Sequence, residues 1–158
     1  MSFDDEITKD VISTGHLEID RKLGGGIPLG SLTLVEGESD SGKSVFTQQV
    51  TWGCVNNDYK VLMFTTESTV RSMIKQMDSL GLGILDHLLL GNIKIYTMKP
   101  SQIKGDPQNT FNTILKTVSK SMIFNLVIVD SLTPIVANTS DGAILAYFEE
   151  CKVLCDKG

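Results

Sequence analysis

The residues from Gly37 to Ser44, GESDSGKS, combine two glycines, a lysine and a hydroxyl in the spacing G-x-x-x-x-G-K-[ST]. In such a loop, successive backbone N–H groups point inward at phosphate oxygens. Lys43 would reach the β- and γ-phosphates of a nucleotide, and the Ser44 hydroxyl would contact Mg²⁺. We therefore expect the loop and the residue after it to line a nucleotide site: Gly37, Glu38, Ser39, Asp40, Ser41, Gly42, Lys43, Ser44 and Val45.

Two acidic residues of this loop, Glu38 and Asp40, carry the same sign of charge as phosphate. Unit charges about 8 Å apart repel by about 2 kcal/mol at an effective dielectric of 20. Several charge-assisted hydrogen bonds of roughly 1.5–3 kcal/mol each outweigh that repulsion. Asp40 also stands where many such loops have glycine, and Asp is among the residues that best tolerate a left-handed backbone. Both acids are therefore compatible with phosphate binding.

A second candidate metal ligand, Asp130, ends the apolar run NLVIVD at residues 125–130. A buried strand that ends in a carboxylate can hold Mg²⁺ opposite the hydroxyl of a phosphate loop, often through water. The pattern is weak by itself because many buried strands end in Asp. Paired with a complete phosphate loop upstream, it predicts that Ser44 and Asp130 share one Mg²⁺, with Asp130 bound through water.

The elements that must position these residues alternate between short apolar runs and segments of helical periodicity. The apolar runs predict strands over residues 31–37, 60–66, 92–97 and 125–130. The helical patterns run over 43–56, from a cap at Ser68 to a stop at Gly81, from a cap at Asp106 through Pro107, and from a cap at Asp141 to Gly158. This alternation predicts an α/β fold with a mostly parallel sheet covered by helices on both faces.

Composition places the chain among globular proteins. Its 158 residues are 41% hydrophobic and 21% charged, which suits a single domain spanning 1–158. Three cysteines without C-x-x-C spacing do not suggest a disulfide framework and favour a reducing cytosol. The net charge of −5, without a basic cluster, argues against nucleic acid as a partner. A last helix that stops at Gly158 should feed another strand, so we expect the domain to continue beyond this residue.

Residues 12–44, ISTGHLEIDRKLGGGIPLGSLTLVEGESDSGKS, resemble the opening of the KaiC-like branch of the RecA superfamily. In that branch an STG…LD…LGGGIP.GS run leads into the phosphate loop. The resemblance covers nearly the whole chain, because the runs VLMFTTES and NLVIVDS fall in place as later strands. It implies a RecA-like P-loop NTPase core that is incomplete at its C-terminus, with ATP and Mg²⁺ as its cofactors.

Within this branch, the acidic loop GESDSGKS is most similar to the ATP-binding proteins of the archaellum, the archaeal flagellum. That resemblance implies a homo-oligomeric ring at the cytoplasmic membrane face, in which ATP occupancy biases assembly. Its implied partners are the hexameric secretion-type ATPase of the motor and the membrane platform protein. A DNA-handling recombinase paralogue is a further alternative, which the acidic charge balance disfavours.

The resemblance also locates the general base. In KaiC-like ATPases the second strand ends in two adjacent glutamates followed by Ser or Thr, and the first glutamate polarises the attacking water. Aligning Glu67 with the second glutamate puts Thr66 at the base position, where loss of a base costs about 10²–10⁴-fold in rate. Hydrolysis would then be slow or absent, and Thr66→Glu would restore turnover. Shifting the alignment by one residue instead makes Glu67 the base of an active ATPase, and both alternatives stay open.

Overall fold

The computed structural model describes residues 11–157. Its strands are β1 (Val11–Ile12), β2 (Ile27–Pro28), β3 (Val61–Thr65), β4 (Ile93–Thr97) and β5 (Leu126–Asp130). Its helices are α1 (Leu17–Lys22), α2 (Lys43–Asn56), α3 (Val70–Ser79), α4 (Leu85–Leu89), α5 (Pro100–Gly105), α6 (Pro107–Lys120), α7 (Thr133–Val136) and α8 (Asp141–Lys157). The predicted helix end at Gly158 lies outside the described residues. Within 11–157, no helix has the length and apolarity needed to cross a bilayer.

The centre of the fold is a three-stranded parallel sheet in the order β4-β3-β5. Every residue of β3 is buried, because both of its edges are paired and both of its faces are covered. The register sets Thr65 opposite Asp130 on one side and opposite Thr97 on the other. The carboxyl ends of the three strands therefore meet at one edge, and the predicted α/β fold with a parallel sheet is confirmed.

Alternation along β3 divides the core into two clusters, since successive strand side chains point to opposite faces. One cluster packs helices α2 and α3 on the sheet, through residues that include Val61, Met63, Cys54, Met73 and Met77. The other packs helices α5, α6 and α8 on the opposite face, through residues that include Leu62, Phe64, Ile103, Phe111 and Tyr147. The rings of Phe111 and Tyr147 stack with their centroids 4.3 Å apart, which joins α6 to α8.

Residues 31–37 do not form the strand that their apolar pattern predicted. The segment is irregular and exposed throughout, with Leu32 48% and Leu34 69% accessible. No strand of the described residues pairs with it. A strand depends on ladder hydrogen bonds and on burial against neighbours, so an apolar pattern without a neighbour does not become one. The phosphate loop is consequently entered from an irregular segment.

The starts of α3, α6 and α8 lie at or next to their predicted caps, with two shifts of one residue. Asp106 caps α6 as predicted, because its carboxylate accepts a 2.9 Å hydrogen bond from the Asn109 N–H. Thr69 caps α3 in place of Ser68, and its hydroxyl accepts from the backbone N–H three residues further on. Asp141 is the first residue of α8 rather than its cap. In both cases the pattern located the helix and missed its first residue by one position.

Candidate nucleotide-binding site

The phosphate loop of residues 37–42 takes two left-handed backbone steps before α2 begins. Asp40 has φ +60° and Gly42, which precedes the first residue of α2, has φ +93°. The expectation that Asp40 adopts a left-handed conformation is thus confirmed. The loop is exposed, and the N-terminus of α2 follows it directly. Unpaired N–H groups and the positive end of the helix dipole make such a junction favourable for an anion.

Lys43, the first residue of α2, spans the loop. Its Nζ donates hydrogen bonds to the backbone oxygens of Gly37 at 2.8 Å and Glu38 at 2.5 Å. Phosphate oxygens are charged acceptors and bind an ammonium more strongly than neutral carbonyls do. A phosphate held in this loop would therefore compete for Lys43 with the two carbonyl groups.

Asp130 lies across from the first turn of α2. Its Oδ2 is 3.4 Å from Thr47 Oγ1, and the same hydroxyl donates to the Ser44 carbonyl oxygen at 2.9 Å. The Thr47 hydroxyl therefore lies between the Asp130 carboxylate and the backbone carbonyl of Ser44, the residue predicted to share Mg²⁺ with Asp130. Sequence reasoning missed Thr47, although its position three residues after Ser44 puts both on one helix face.

The side chains at the start of α2 and at the end of β5 carry oxygen donors that suit Mg²⁺. A carboxylate from Asp130 and hydroxyls from Ser44 and Thr47 are hard oxygen donors of the kind this ion prefers. Among residues 11–157, no group of three or more His, Cys, Asp or Glu side chains could hold a metal without other ligands. An ion at this position would complete its coordination with phosphate oxygens and water, as Mg²⁺ does at nucleotide sites.

Beside Asp130, β3 and β5 end in a set of four hydrogen-bonded residues, Thr66, Glu67, Asp130 and Ser131, which we call the strand-end junction. The Thr66 backbone N–H donates to the Asp130 carbonyl oxygen at 3.0 Å. The Thr66 hydroxyl accepts from the Ser131 N–H and donates to the Ser131 carbonyl oxygen, both at 3.1 Å. The Ser131 hydroxyl donates to Glu67 Oε1 at 3.0 Å.

Thr66 and Glu67, the two candidates for the base position, have different environments in the strand-end junction. Thr66 is buried, at 7% exposed, and its hydroxyl is engaged as both donor and acceptor. Glu67 is exposed to water, and Ser131 fixes one of its carboxylate oxygens. Of the two side chains, therefore, the Glu67 carboxylate is the one placed to contact a water molecule.

The STG run at residues 13–15 packs against the helix that follows the phosphate loop. Gln49 of α2 donates to the Thr14 carbonyl oxygen at 2.8 Å, and a Cβ on Gly53 would lie 2.2 Å from the Thr14 carbonyl carbon. The Asp20 carboxylate accepts from Ser13 Oγ, Thr14 N and Thr14 Oγ1 at 2.6, 2.8 and 2.7 Å. Burial opposes ionisation of Asp20, but these hydrogen bonds outweigh it and hold its pKa below the ordinary value of 3.8.

A parallel α/β sheet with a phosphate loop at the start of one helix and an acid at the end of a neighbouring strand is typical of a P-loop nucleotide-binding domain. The family model described as "ATPase: KaiC" matches residues 12–152 of this sequence. The chain therefore belongs to the KaiC-like ATPase family.

Two relatives and the crystal structure of one of them are similar to this chain. The chain is 33% identical over 144 residues to the archaeal flagellar ATP-binding protein FlaH of Methanocaldococcus jannaschii, covering 87% of this chain and 60% of that protein. It is 25% identical over 151 residues to FlaH of Sulfolobus acidocaldarius, covering 94% and 65%. The crystal structure of the flagellar accessory protein FlaH from M. jannaschii matches with a TM-score of 0.66 and 32% identity, covering 87% of this chain and 62% of that one. This chain thus spans less than two thirds of each of these relatives.

Proposed function

We propose that residues 1–158 form a single Mg·ATP-binding domain that acts as a regulatory component of the archaellum motor and hydrolyses ATP slowly or not at all. The observation that carries the proposal is the exposed phosphate loop at the start of α2, faced by the Asp130 carboxylate 3.4 Å from Thr47. The similar FlaH proteins are named as archaeal flagellar and ATP-binding, which supports both the nucleotide and the machinery.

Each part of the site has a role in binding. The N–H groups of residues 37–44 and the Lys43 ammonium would hold the phosphates, and the helix dipole would add to their attraction. Ser44 and Asp130 would hold Mg²⁺, which neutralises charge between the β- and γ-phosphates. The carboxylates of Glu38 and Asp40 belong to exposed residues, so water screens their repulsion of phosphate.

Slow turnover is proposed on the alignment that puts Thr66 at the base position, because a threonine hydroxyl cannot accept a proton at neutral pH. Its hydroxyl already donates its proton to the Ser131 carbonyl oxygen and accepts from the Ser131 N–H. Losing general-base assistance lowers a rate by about 10²–10⁴-fold. Bound ATP would then act as a regulatory ligand, and its hydrolysis would not supply energy to the motor.

The proposed setting is the cytoplasmic face of the cell membrane, in a homo-oligomeric ring. Its proposed partners are the motor ATPase and the membrane platform protein, with no nucleic acid involved. The acidic balance of 14 basic against 19 acidic residues supports the exclusion of nucleic acid, whose phosphates it would repel.

The second candidate function is an active ATPase that uses Glu67 as its base. The observation in its favour is the 3.0 Å hydrogen bond from Ser131, the residue after Asp130, to the exposed carboxylate of Glu67. A carboxylate fixed through one oxygen keeps the other free to polarise water. This candidate has the same binding site and differs in its rate of turnover.

Nucleotide affinity measured beside turnover tests the proposal, in the unmodified protein and in Lys43→Ala, Asp130→Asn and Glu67→Gln. We expect ATP binding with negligible turnover, loss of binding in Lys43→Ala, and loss of the Mg²⁺-dependent part of the affinity in Asp130→Asn. Glu67→Gln should bind normally. Fast turnover that disappears in Glu67→Gln would establish the second candidate, and absence of ATP binding would reject both.

A further inference from the structure

The Thr66 hydroxyl pairs with both backbone hydrogen-bonding groups of one residue, Ser131. It accepts from the N–H and donates to the C=O, each at 3.1 Å, from a side chain that is 7% exposed. Thr66 and Ser131 are 65 positions apart and lie one residue beyond the ends of β3 and β5. The hydroxyl therefore continues the pairing of the two strands past the point at which the backbone ladder stops.

This pairing holds Asp130 from both sides. Thr65 is its partner in the sheet, and the Thr66 N–H binds its carbonyl oxygen at 3.0 Å. The residue after it is fixed by the Thr66 hydroxyl, so Asp130 lies between its sheet pairing with Thr65 and the bonds that Thr66 makes to its carbonyl oxygen and to Ser131. The direction of the Asp130 side chain, which reaches Thr47 on α2, is set by that backbone.

We propose that Thr66 is a positioning residue for the magnesium ligand Asp130, and that its hydroxyl sets the Mg²⁺ affinity of the nucleotide site. The inference rests on the proposed function, because it concerns the metal bound together with the nucleotide. It gives Thr66 a role of its own, distinct from the absence of a base at that position. Threonine suits the role because a carboxylate there could not donate to the Ser131 carbonyl at neutral pH.

Three substitutions separate the hydroxyl from the rest of the side chain. Thr66→Val keeps the branched shape and removes the hydroxyl, which leaves the Ser131 N–H and C=O without their partner. Thr66→Ser keeps the hydroxyl and removes a methyl group. Thr66→Ala also lacks the hydroxyl and leaves room, so it replaces Thr66→Val if the valine variant does not fold.

The test measures ATP affinity in Mg²⁺ and in excess EDTA for the unmodified protein and for each variant. The ratio of the two dissociation constants gives the Mg²⁺ gain. Loss of a group that hydrogen-bonds a metal ligand directly typically costs about 10–100-fold in metal affinity, and the Thr66 hydroxyl acts one residue further away, through Ser131. We therefore expect the Mg²⁺ gain to fall by about 10-fold, the lower end of that range, in Thr66→Val, with ATP affinity in EDTA unchanged, and to be retained in Thr66→Ser.

Three other outcomes would overturn the inference about Thr66. A full Mg²⁺ gain in folded Thr66→Val or Thr66→Ala would overturn the inference and leave the proposed function standing. An equal loss of affinity in Mg²⁺ and in EDTA would also overturn it, because that pattern reports general damage to the site. Absence of ATP binding by the unmodified protein would reject the proposed function, and the inference with it. Mn²⁺ binding in the presence of ADP, followed by electron paramagnetic resonance, gives a second readout that does not depend on turnover.

Discussion

Gly53→Ala is the most informative perturbation of the scaffold behind the phosphate loop. Gly53 lies in the interior of α2, where alanine would ordinarily stabilise a helix by about 0.8–1 kcal/mol. Here the added Cβ would meet the backbone of the STG run, at 2.2 Å from the Thr14 carbonyl carbon, 2.5 Å from Gly15 N and 2.5 Å from Ser13 O. These are backbone atoms, which cannot rotate away, so the STG run must shift.

The magnitude follows from three contributions to the free energy of unfolding. Overpacking costs about 1–3 kcal/mol, and a contact of 2.2 Å with backbone favours the upper end. Moving Thr14 also weakens the hydrogen bond from Gln49, worth about 1 kcal/mol. Subtracting the helix-propensity gain of about 1 kcal/mol leaves a net loss of about 3 kcal/mol.

Urea unfolding followed by circular dichroism measures this loss, with Gly142→Ala as the matched control. Gly142 is also helical, in α8, but a Cβ there would meet no atom of the described residues within 4 Å. We expect Gly142→Ala to leave stability unchanged or raise it by up to about 1 kcal/mol. A Gly53→Ala protein as stable as Gly142→Ala would refute the close packing of the STG run on α2.

Three further predictions concern other polar contacts. Asp20→Asn should destabilise the protein at neutral pH, and progressively less as the pH falls below about 4. The lowered pKa of the Asp20 carboxyl stabilises the folded protein at pH values above the ordinary pKa, and this stabilisation is lost as the carboxylate is protonated in acid. Urea midpoints at pH 7 and pH 3 measure the difference. Asp106→Ala should cost about 1 kcal/mol of unfolding free energy through loss of the α6 cap, whereas Asp106→Asn should retain most of it. Thr66→Glu should lower the unfolding free energy by at least about 2 kcal/mol, since it buries a carboxylate and breaks two hydrogen bonds to Ser131. On this reasoning Thr66→Glu would not restore turnover, and a stable variant with restored turnover would contradict it.

The parts of the site that are local in sequence were predictable. The phosphate loop is a contiguous pattern, and the left-handed conformation of Asp40 follows from the glycine that usually occupies its position. The cap at Asp106 depends on residues within one helical turn. Neighbouring residues determine such features, so a single sequence contains the information needed to place them.

The features that depend on residues distant in sequence could not be predicted. Residues 31–37 have the apolar pattern of a strand, but whether a strand forms is decided by a neighbour in the sheet. The contact of Thr47 with Asp130 joins positions 83 apart, and the pairing of Thr66 with Ser131 joins positions 65 apart. Because both contacts arise from how the strands and helices pack, no local pattern could assign the two threonines their places.

The most direct test is a single-turnover experiment that follows a substoichiometric amount of radiolabelled ATP in the presence of Mg²⁺ and excess protein. We expect the label to stay bound as ATP, Lys43→Ala to lose it, and Glu67→Gln to retain it as the unmodified protein does. Rapid conversion of bound ATP to ADP that Glu67→Gln abolishes would contradict the proposal of slow or absent hydrolysis.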